Sequence, residues 1–139
     1  VPVYDEEDNV EELHRRITEA CVALGVPYEI LFVDDGSRDG TLARLHALQA
    51  DDEHLRVVEL DGNFGEAAAL SAGFAHARGR IVVTLDGDGQ NDPADIPRLL
   101  GRLEDGIDVV SGRRQDRKER QRGQQHSGKH THDSSFTTL

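Results

Sequence analysis

The chain has 139 residues, enough for one domain with a buried core, and that core must be aliphatic because aromatic residues make up only 4% of the total. A formal net charge of −11 argues against nonspecific binding of nucleic acid, which needs a basic protein face. The single cysteine, Cys21, excludes an internal disulfide, and no apolar run approaches the roughly 20 residues that cross a bilayer.

Hydrophobic periodicity divides the first part of the chain into alternating strands and helices. Residues 1–3 are predicted to be a strand, and apolar residues at helical spacing then predict a helix over residues 10–24. A strand over residues 28–33 ends abruptly in polar residues, and a second helix starts at about residue 41. Residues 55–60 form the next predicted strand, so strand and helix alternate regularly.

The same alternation continues in the second part of the chain. An alanine-rich helix is predicted over residues 65–78, followed by a nearly continuous apolar strand over residues 81–85. Such an apolar strand is typical of a sheet that is covered on both faces. A helix that opens at Pro93 and a short strand over residues 107–110 complete the pattern.

This alternation predicts an α/β fold: a mostly parallel, Rossmann-like sheet with helices on both faces and right-handed crossovers. In such sheets, ligands bind at the carboxyl ends of the strands. Polar motifs follow three of the predicted strands, and these are Asp34-Asp35-Gly36-Ser37, Asn63-Phe64-Gly65 and Asp86-Gly87-Asp88. The sequence therefore predicts a ligand site along this edge of the sheet.

The motif Asp86-Gly87-Asp88 carries two carboxylates one residue apart, which can aim at one divalent cation and a ribose. Mg²⁺ or Mn²⁺ takes one or two protein oxygens and completes its shell with diphosphate oxygens and water. Gln90 lies on the same loop and can add an amide oxygen. The pattern is also ordinary turn chemistry, but its place after a buried strand favours the functional interpretation.

The other two motifs admit both functional and structural interpretations. A carboxylate of Asp34 or Asp35 can accept from a nucleobase N–H or a ribose hydroxyl, whereas the alternative is capping of the following helix. Asn63 precedes a helix whose free N–H groups could face an anion, and capping explains that position equally well. An EF-hand is excluded, because His46 stands where the closing glutamate is needed.

Five motifs lie in order along the chain: Val1-Pro2-Val3-Tyr4-Asp5-Glu6-Glu7, Val33-Asp34-Asp35-Gly36-Ser37-Arg38-Asp39-Gly40-Thr41, Asn63-Phe64-Gly65, Leu85-Asp86-Gly87-Asp88-Gly89-Gln90-Asn91-Asp92-Pro93 and Val109-Val110-Ser111-Gly112-Arg113-Arg114. In this order and spacing they resemble the motifs of family 2 glycosyltransferases, which have the GT-A fold. Within that family the chain is similar to the dolichol-phosphate mannose synthases and the bacterial undecaprenyl-phosphate sugar transferases. The resemblance covers residues 1 to about 120.

The resemblance implies a role for each matching residue. Nucleoside or sugar-nucleotide contacts would come from Pro2, Tyr4, Glu6, Val33, Asp35, Asn63, Asp86 and Gly87. Asp88 and Gln90 would hold Mg²⁺ or Mn²⁺, Asp86 and Asp88 would be catalytic, and Arg114 would reach phosphate. The implied reaction is inverting transfer from a UDP- or GDP-sugar to a polyprenyl phosphate, at the cytoplasmic face of a membrane.

Some positions depart from the family pattern. Glu66 stands where Lys or Gln is common, and a negative charge near the diphosphate would weaken binding. A basic cluster over residues 113–122 is either a solvated surface or a site for phosphate or lipid headgroups. We predict a nucleotide-sugar-binding domain over residues 1–122 and a disordered tail over residues 123–139. No acceptor-binding half is recognised, so the alternative function is a nucleotide- and metal-binding fragment that transfers little or no sugar.

Overall fold

The computed structural model describes residues 1–103 and 109–110, so the predictions for Arg114, the basic cluster and the tail lie outside the described residues. The chain divides into two units, Val1–Pro97 and Arg98–Leu139. The described elements, in chain order, are β1 (Pro2–Val3), α1 (Val10–Leu24), β2 (Ile30–Asp34), α2 (Thr41–Asp51), β3 (Leu55–Glu59), α3 (Glu66–His76), a 3-10 turn (Pro93–Asp95) and α4 (Ile96–Leu100).

The three strands form one parallel sheet in the order β1-β2-β3. Val33 at the centre of the sheet lies opposite Pro2 on one side and Val58 on the other. The parallel α/β architecture predicted from the alternation of elements is confirmed. Because all three strands point the same way, the loops that follow them emerge at one edge of the sheet.

The helices lie on both faces of this sheet. The connection from β1 to β2 and the connection from β2 to β3 cross the sheet in the same direction. Right-handed crossovers therefore place α1 and α2 on the same face of the sheet, where the two helices contact each other. Helix α3 follows β3 but contacts β1 and β2, so it runs back across the other face. A Cβ built on Gly73 of α3 would lie 3.4 Å from Cγ2 of Val33, which shows how closely α3 approaches the sheet.

The core is mainly aliphatic, as the composition predicts, although it also contains Phe32. Its largest fully buried hydrophobic side chains are Val10, Leu13, Phe32, Val33, Leu45 and Leu55. Helix α1 buries one stripe of its surface, with Val10, Leu13 and Ile17 at the predicted helical spacing. Among the helices that the structure describes, none has the length and apolar character needed to span a bilayer.

The predicted strand over residues 81–85 is wrong. These residues form no strand, and Ile81 and Val82 are 55% and 48% exposed, although Leu85 is buried at 8%. The apolar run predicted burial, but a strand also needs a partner edge. The described sheet has two edge strands, β1 and β3, and β1 offers a poor edge because it has two residues and Pro2 has no N–H to donate.

The helix predicted to open at Pro93 begins instead as a 3-10 turn, because Pro97 cannot donate the first α-helical hydrogen bond. An α-helical bond to the carbonyl of Pro93 would come from the N–H of residue 97, which proline lacks. The N–H of Ile96 donates to that carbonyl instead, and α4 then begins. In the predicted strand over residues 107–110, the described residues Val109 and Val110 are not in a strand, and the others lie outside the described residues.

Candidate functional site

An open cleft of about 330 Å³ lies at the edge of the sheet where β1 and β2 end. Residues from both strand ends, from the start of α3 and from the motif Asp86-Gly87-Asp88 line it. They are Pro2, Val3, Tyr4, Glu6, Asp35, Glu66, Ala69, Asp86, Gly87 and Asp88. The cleft thus brings together residues that the sequence placed after three separate predicted strands.

The loops that follow β1 and β2 are joined by hydrogen bonds across the sheet edge. The amide of Glu6 donates to Oγ1 of Thr41 at 2.8 Å, and the amide of Asp5 donates to Oγ of Ser37 at 3.0 Å. In return, the amide of Arg38 donates to the Asp5 carboxylate at 2.7 Å. These bonds fix the first loop, which carries Tyr4 and Glu6, at the mouth of the cleft.

Asp39 belongs to the same loop network and does not line the cleft. Its carboxylate accepts from the Thr41 amide at 2.9 Å and from the Glu7 amide at 3.2 Å. Desolvation raises the pKa of Asp39, but the hydrogen bonds from Thr41 and Glu7 outweigh it, and the net pKa is lowered. Asp39 therefore holds the start of α2 and the loop after β1 together, a structural role.

The carboxylate of Asp35 ties the end of β2 to the start of α3. Asp35 is 4% exposed, and its two oxygens accept from the amides of Phe64 and Gly65, each at 2.8 Å. These two N–H groups at the head of α3 are therefore not available to an anion. Each carboxylate oxygen can accept a further hydrogen bond, and Asp35 also lines the cleft.

The loop of residues 86–91, which we call the aspartate loop, sits directly on β1. Gly87 is buried, and a Cβ added to it would lie 2.6 Å from the carbonyl oxygen of Pro2 and 2.7 Å from Cγ1 of Val3. Only glycine fits such a close approach. Because Gly87 faces the strand, its neighbours Asp86 and Asp88 are exposed and line the cleft.

Helix α3 supplies two lining residues, of which the sequence placed only Glu66 near the ligand, as a negative charge close to the diphosphate. Glu66 is the first residue of α3, and Ala69 lies three residues later and is fully buried. Residues three apart share one face of a helix, so the spacing alone could have identified Ala69 once Glu66 was placed. Val3 also lines the cleft without a role assigned from the sequence, and β1 places it directly beside Gly87.

Not every predicted site residue lies in the cleft. Val33 is buried inside β2 at 1% exposure, and Asn63 is exposed in the loop before α3; neither lines the cleft. Gln90 is also exposed and outside the lining, and its backbone N–H donates to the Asp88 carboxylate at 2.9 Å. Arg114 lies outside the described residues.

The lining is strongly acidic. Its five carboxylates are Glu6, Asp35, Glu66, Asp86 and Asp88, and the lining residues that the structure describes include no Lys or Arg. An anionic ligand would be repelled by these charges unless a cation came with it. With the described lining alone, a phosphorylated ligand would need a cation to accompany it into the cleft.

The donor set fits a hard cation that shares its shell with a ligand. Asp86 and Asp88 offer exposed oxygens, the ligand type that Mg²⁺ and Mn²⁺ prefer. In the part of the chain that the structure describes, no three His, Cys, Asp or Glu side chains converge on one metal position. Protein oxygens alone would leave the shell incomplete, so oxygens of the ligand or water would have to complete it.

The comparison with known families agrees with this arrangement of a parallel sheet, an acidic loop and a cleft at the strand ends. The family model described as glycosyl transferase family 2 matches residues 1–138, nearly the whole sequence. The chain belongs to glycosyl transferase family 2.

Proposed function

We propose that the cleft binds the nucleoside-diphosphate sugar, with UDP or GDP as the nucleotide, and that the sugar passes to a polyprenyl phosphate. Membership in the family makes the chain a glycosyltransferase with a nucleotide-sugar donor and an acceptor. The choice of site rests on the aspartate loop. Gly87 packs against β1, and Asp86 and Asp88 on either side of it line the cleft.

The nucleoside is expected to lie against the loop that follows β1. Pro2 and Tyr4 provide apolar and aromatic surface, and Glu6 and Asp35 provide acceptors for base or ribose hydrogens. Both oxygens of Asp35 already accept one amide each, so its position does not depend on the ligand. Such a preorganised acceptor needs no reordering when the nucleoside binds.

Asp88 and Gln90 would hold Mg²⁺ or Mn²⁺, and Asp86 would contact the ribose. When bound, the ion would offset the charge that develops on the departing diphosphate. The backbone N–H of Gln90 donates to one oxygen of Asp88 at 2.9 Å. This bond orients the carboxylate and leaves its other oxygen for the ion. The loop thus presents its carboxylate in a fixed direction.

The acceptor is proposed to be a polyprenyl phosphate because that nucleophile needs no catalytic base. The second pKa of a phosphate monoester is about 6, so most of it is fully ionised at neutral pH. A phosphate oxygen attacks the anomeric carbon, the bond from that carbon to the nucleoside diphosphate breaks, and the configuration inverts. We place this reaction at the cytoplasmic face of a membrane, where a lipid phosphate and a soluble nucleotide sugar can meet.

The test is transfer of radiolabelled sugar from UDP- and GDP-sugars to a short polyprenyl phosphate in the presence of Mn²⁺. We expect slow transfer, with label entering the lipid fraction only when polyprenyl phosphate is present. The rate should be low because the described lining offers no basic side chain to hold the acceptor phosphate. Transfer to sugars or to water, with none to polyprenyl phosphate, would contradict the proposed acceptor.

A second candidate function is binding of nucleotide and metal without transfer. The absence of a cationic side chain from the described lining favours it, since transfer also requires the acceptor to be held in line. The same experiment separates the two functions when nucleotide binding is measured in parallel. Binding of a nucleoside diphosphate with Mn²⁺ but no labelled lipid would favour the second candidate.

A further inference from the structure

The aspartate loop is held at two points, of which only the first lies in the cleft. Gly87 against β1 fixes its beginning. Its far end is fixed where Asp92 starts the 3-10 turn by accepting from the Ala94 amide at 3.0 Å. Pro93 and Ile96, which follow, are buried, so this end of the loop continues into a packed segment.

The second attachment includes a side chain from α1. Nη2 of Arg16 donates to Oδ1 of Asp92 at 2.8 Å, across 76 positions of sequence. The two side chains are 31% and 38% exposed, so the pair is partly shielded from water. Helix α1 is itself fixed by the core through Leu13 and Ile17, so Arg16 projects from a rigid support.

We infer that Arg16 is a positioning residue for the aspartate loop. It acts through Asp92, holding the far end of the loop so that Asp86 and Asp88 stay directed into the cleft. Between Gly87 and Asp92 the loop consists of exposed or half-buried residues with little packing of their own. The orientation of Asp88 therefore depends on both ends of the loop, and the role of Arg16 in ligand binding rests on the proposed function.

The neighbouring Arg15 provides a matched control. Its guanidinium pairs with Glu12 and Glu19, both on α1, so these contacts are local to the helix. Replacing Arg15 by Ala removes the same side chain one position away without touching the aspartate loop. Arg16→Lys retains the charge and can rescue a positioning role, which Arg16→Ala cannot.

The experiment measures nucleoside diphosphate affinity by calorimetry, with Mn²⁺ and with EDTA, for the full 139-residue chain and the three variants. Second-sphere partners of metal ligands usually affect metal affinity by 10- to 100-fold, so Arg16→Ala should weaken Mn²⁺-dependent binding by roughly tenfold. In EDTA neither the wild type nor any variant should bind the nucleotide measurably. Arg15→Ala should behave like the wild type, and Arg16→Lys should recover most of the loss.

Hydrogen exchange across residues 86–91 gives a readout that needs no ligand. It should be faster in Arg16→Ala than in Arg15→Ala, with similar exchange in the core strands of both variants. Unchanged Mn²⁺-dependent affinity and unchanged exchange in Arg16→Ala would overturn the inference, as would an equal loss of affinity in Arg15→Ala. If the wild type binds no nucleotide, the proposed function fails, and hydrogen exchange alone then decides whether Arg16 holds the loop.

Discussion

Replacing Asp88 by Asn is expected to remove most of the Mn²⁺-dependent affinity for a nucleoside diphosphate. Asp88 is exposed, lines the cleft and accepts a hydrogen bond from the backbone N–H of Gln90. The variant should therefore keep the shape of the loop and lose one charge beside the proposed ion. Loss of a second-sphere partner already costs roughly 10- to 100-fold in metal affinity, and loss of a ligand charge should reach the upper end. Calorimetry with UDP or GDP and Mn²⁺ measures the change.

The matched control for that measurement is Asp51→Asn. Asp51 is exposed and is the last residue of α2, which leads back to the start of β3. It therefore lies near the end of the sheet where the strands begin, away from the cleft. The substitution changes the net charge by the same amount, so it corrects for any general effect of charge on nucleotide binding. Equal affinities for the two variants would rule out Asp88 as the residue that holds the ion.

Replacing Gly36 by Ala is expected to cause a larger loss of stability than its matched control, Gly25→Ala. The two glycines have nearly the same backbone conformation, with φ of 70° and 66°. A Cβ on Gly25 meets nothing within 4 Å, whereas a Cβ on Gly36 would lie 2.5 Å from the carbonyl carbon of Gly62. The pair therefore separates backbone strain from steric collision.

The left-handed conformation alone should lower the free energy of unfolding by about 1–2 kcal/mol in both variants. In Gly36→Ala, displacement of the backbone at Gly62 should add about 1–3 kcal/mol. Urea denaturation followed by circular dichroism measures both values. The same loss in the two variants would show that the loops after β2 and β3 do not pack as closely as this structure places them.

Much of the fold follows from local sequence patterns. The helical spacing of Val10, Leu13 and Ile17 predicted the buried stripe of α1, and the apolar run before Asp34 predicted the buried strand β2. The run over residues 81–85 misled because apolar character predicts burial but says nothing about a pairing partner. Whether β1 can accept a fourth strand depends on its length and on Pro2, which a local pattern does not weigh.

The site could be predicted in outline because parallel strands deliver their following loops to one edge. That rule predicted the position of Asp35, which follows β2 and lines the cleft. Asp86 and Asp88 also line the cleft, but no strand precedes them, and the contact of Gly87 with β1 places them there instead. The partners of these residues could not be predicted. The amides that donate to Asp35 and the pairing of Arg16 with Asp92 depend on how distant segments pack, which no short motif encodes.

The central claim is that this acidic cleft takes a nucleoside diphosphate only together with a divalent ion. It is tested most directly by thermal unfolding of the wild-type chain with UDP, GDP or dTDP, each in Mn²⁺ or in EDTA. At about 100 times the dissociation constant, a ligand of the native state stabilises it by about 2.7 kcal/mol, which is a readily measured rise in Tm. We expect that rise for at least one nucleotide in Mn²⁺ and none in EDTA. No rise with any nucleotide, or an equal rise in EDTA, would contradict the account.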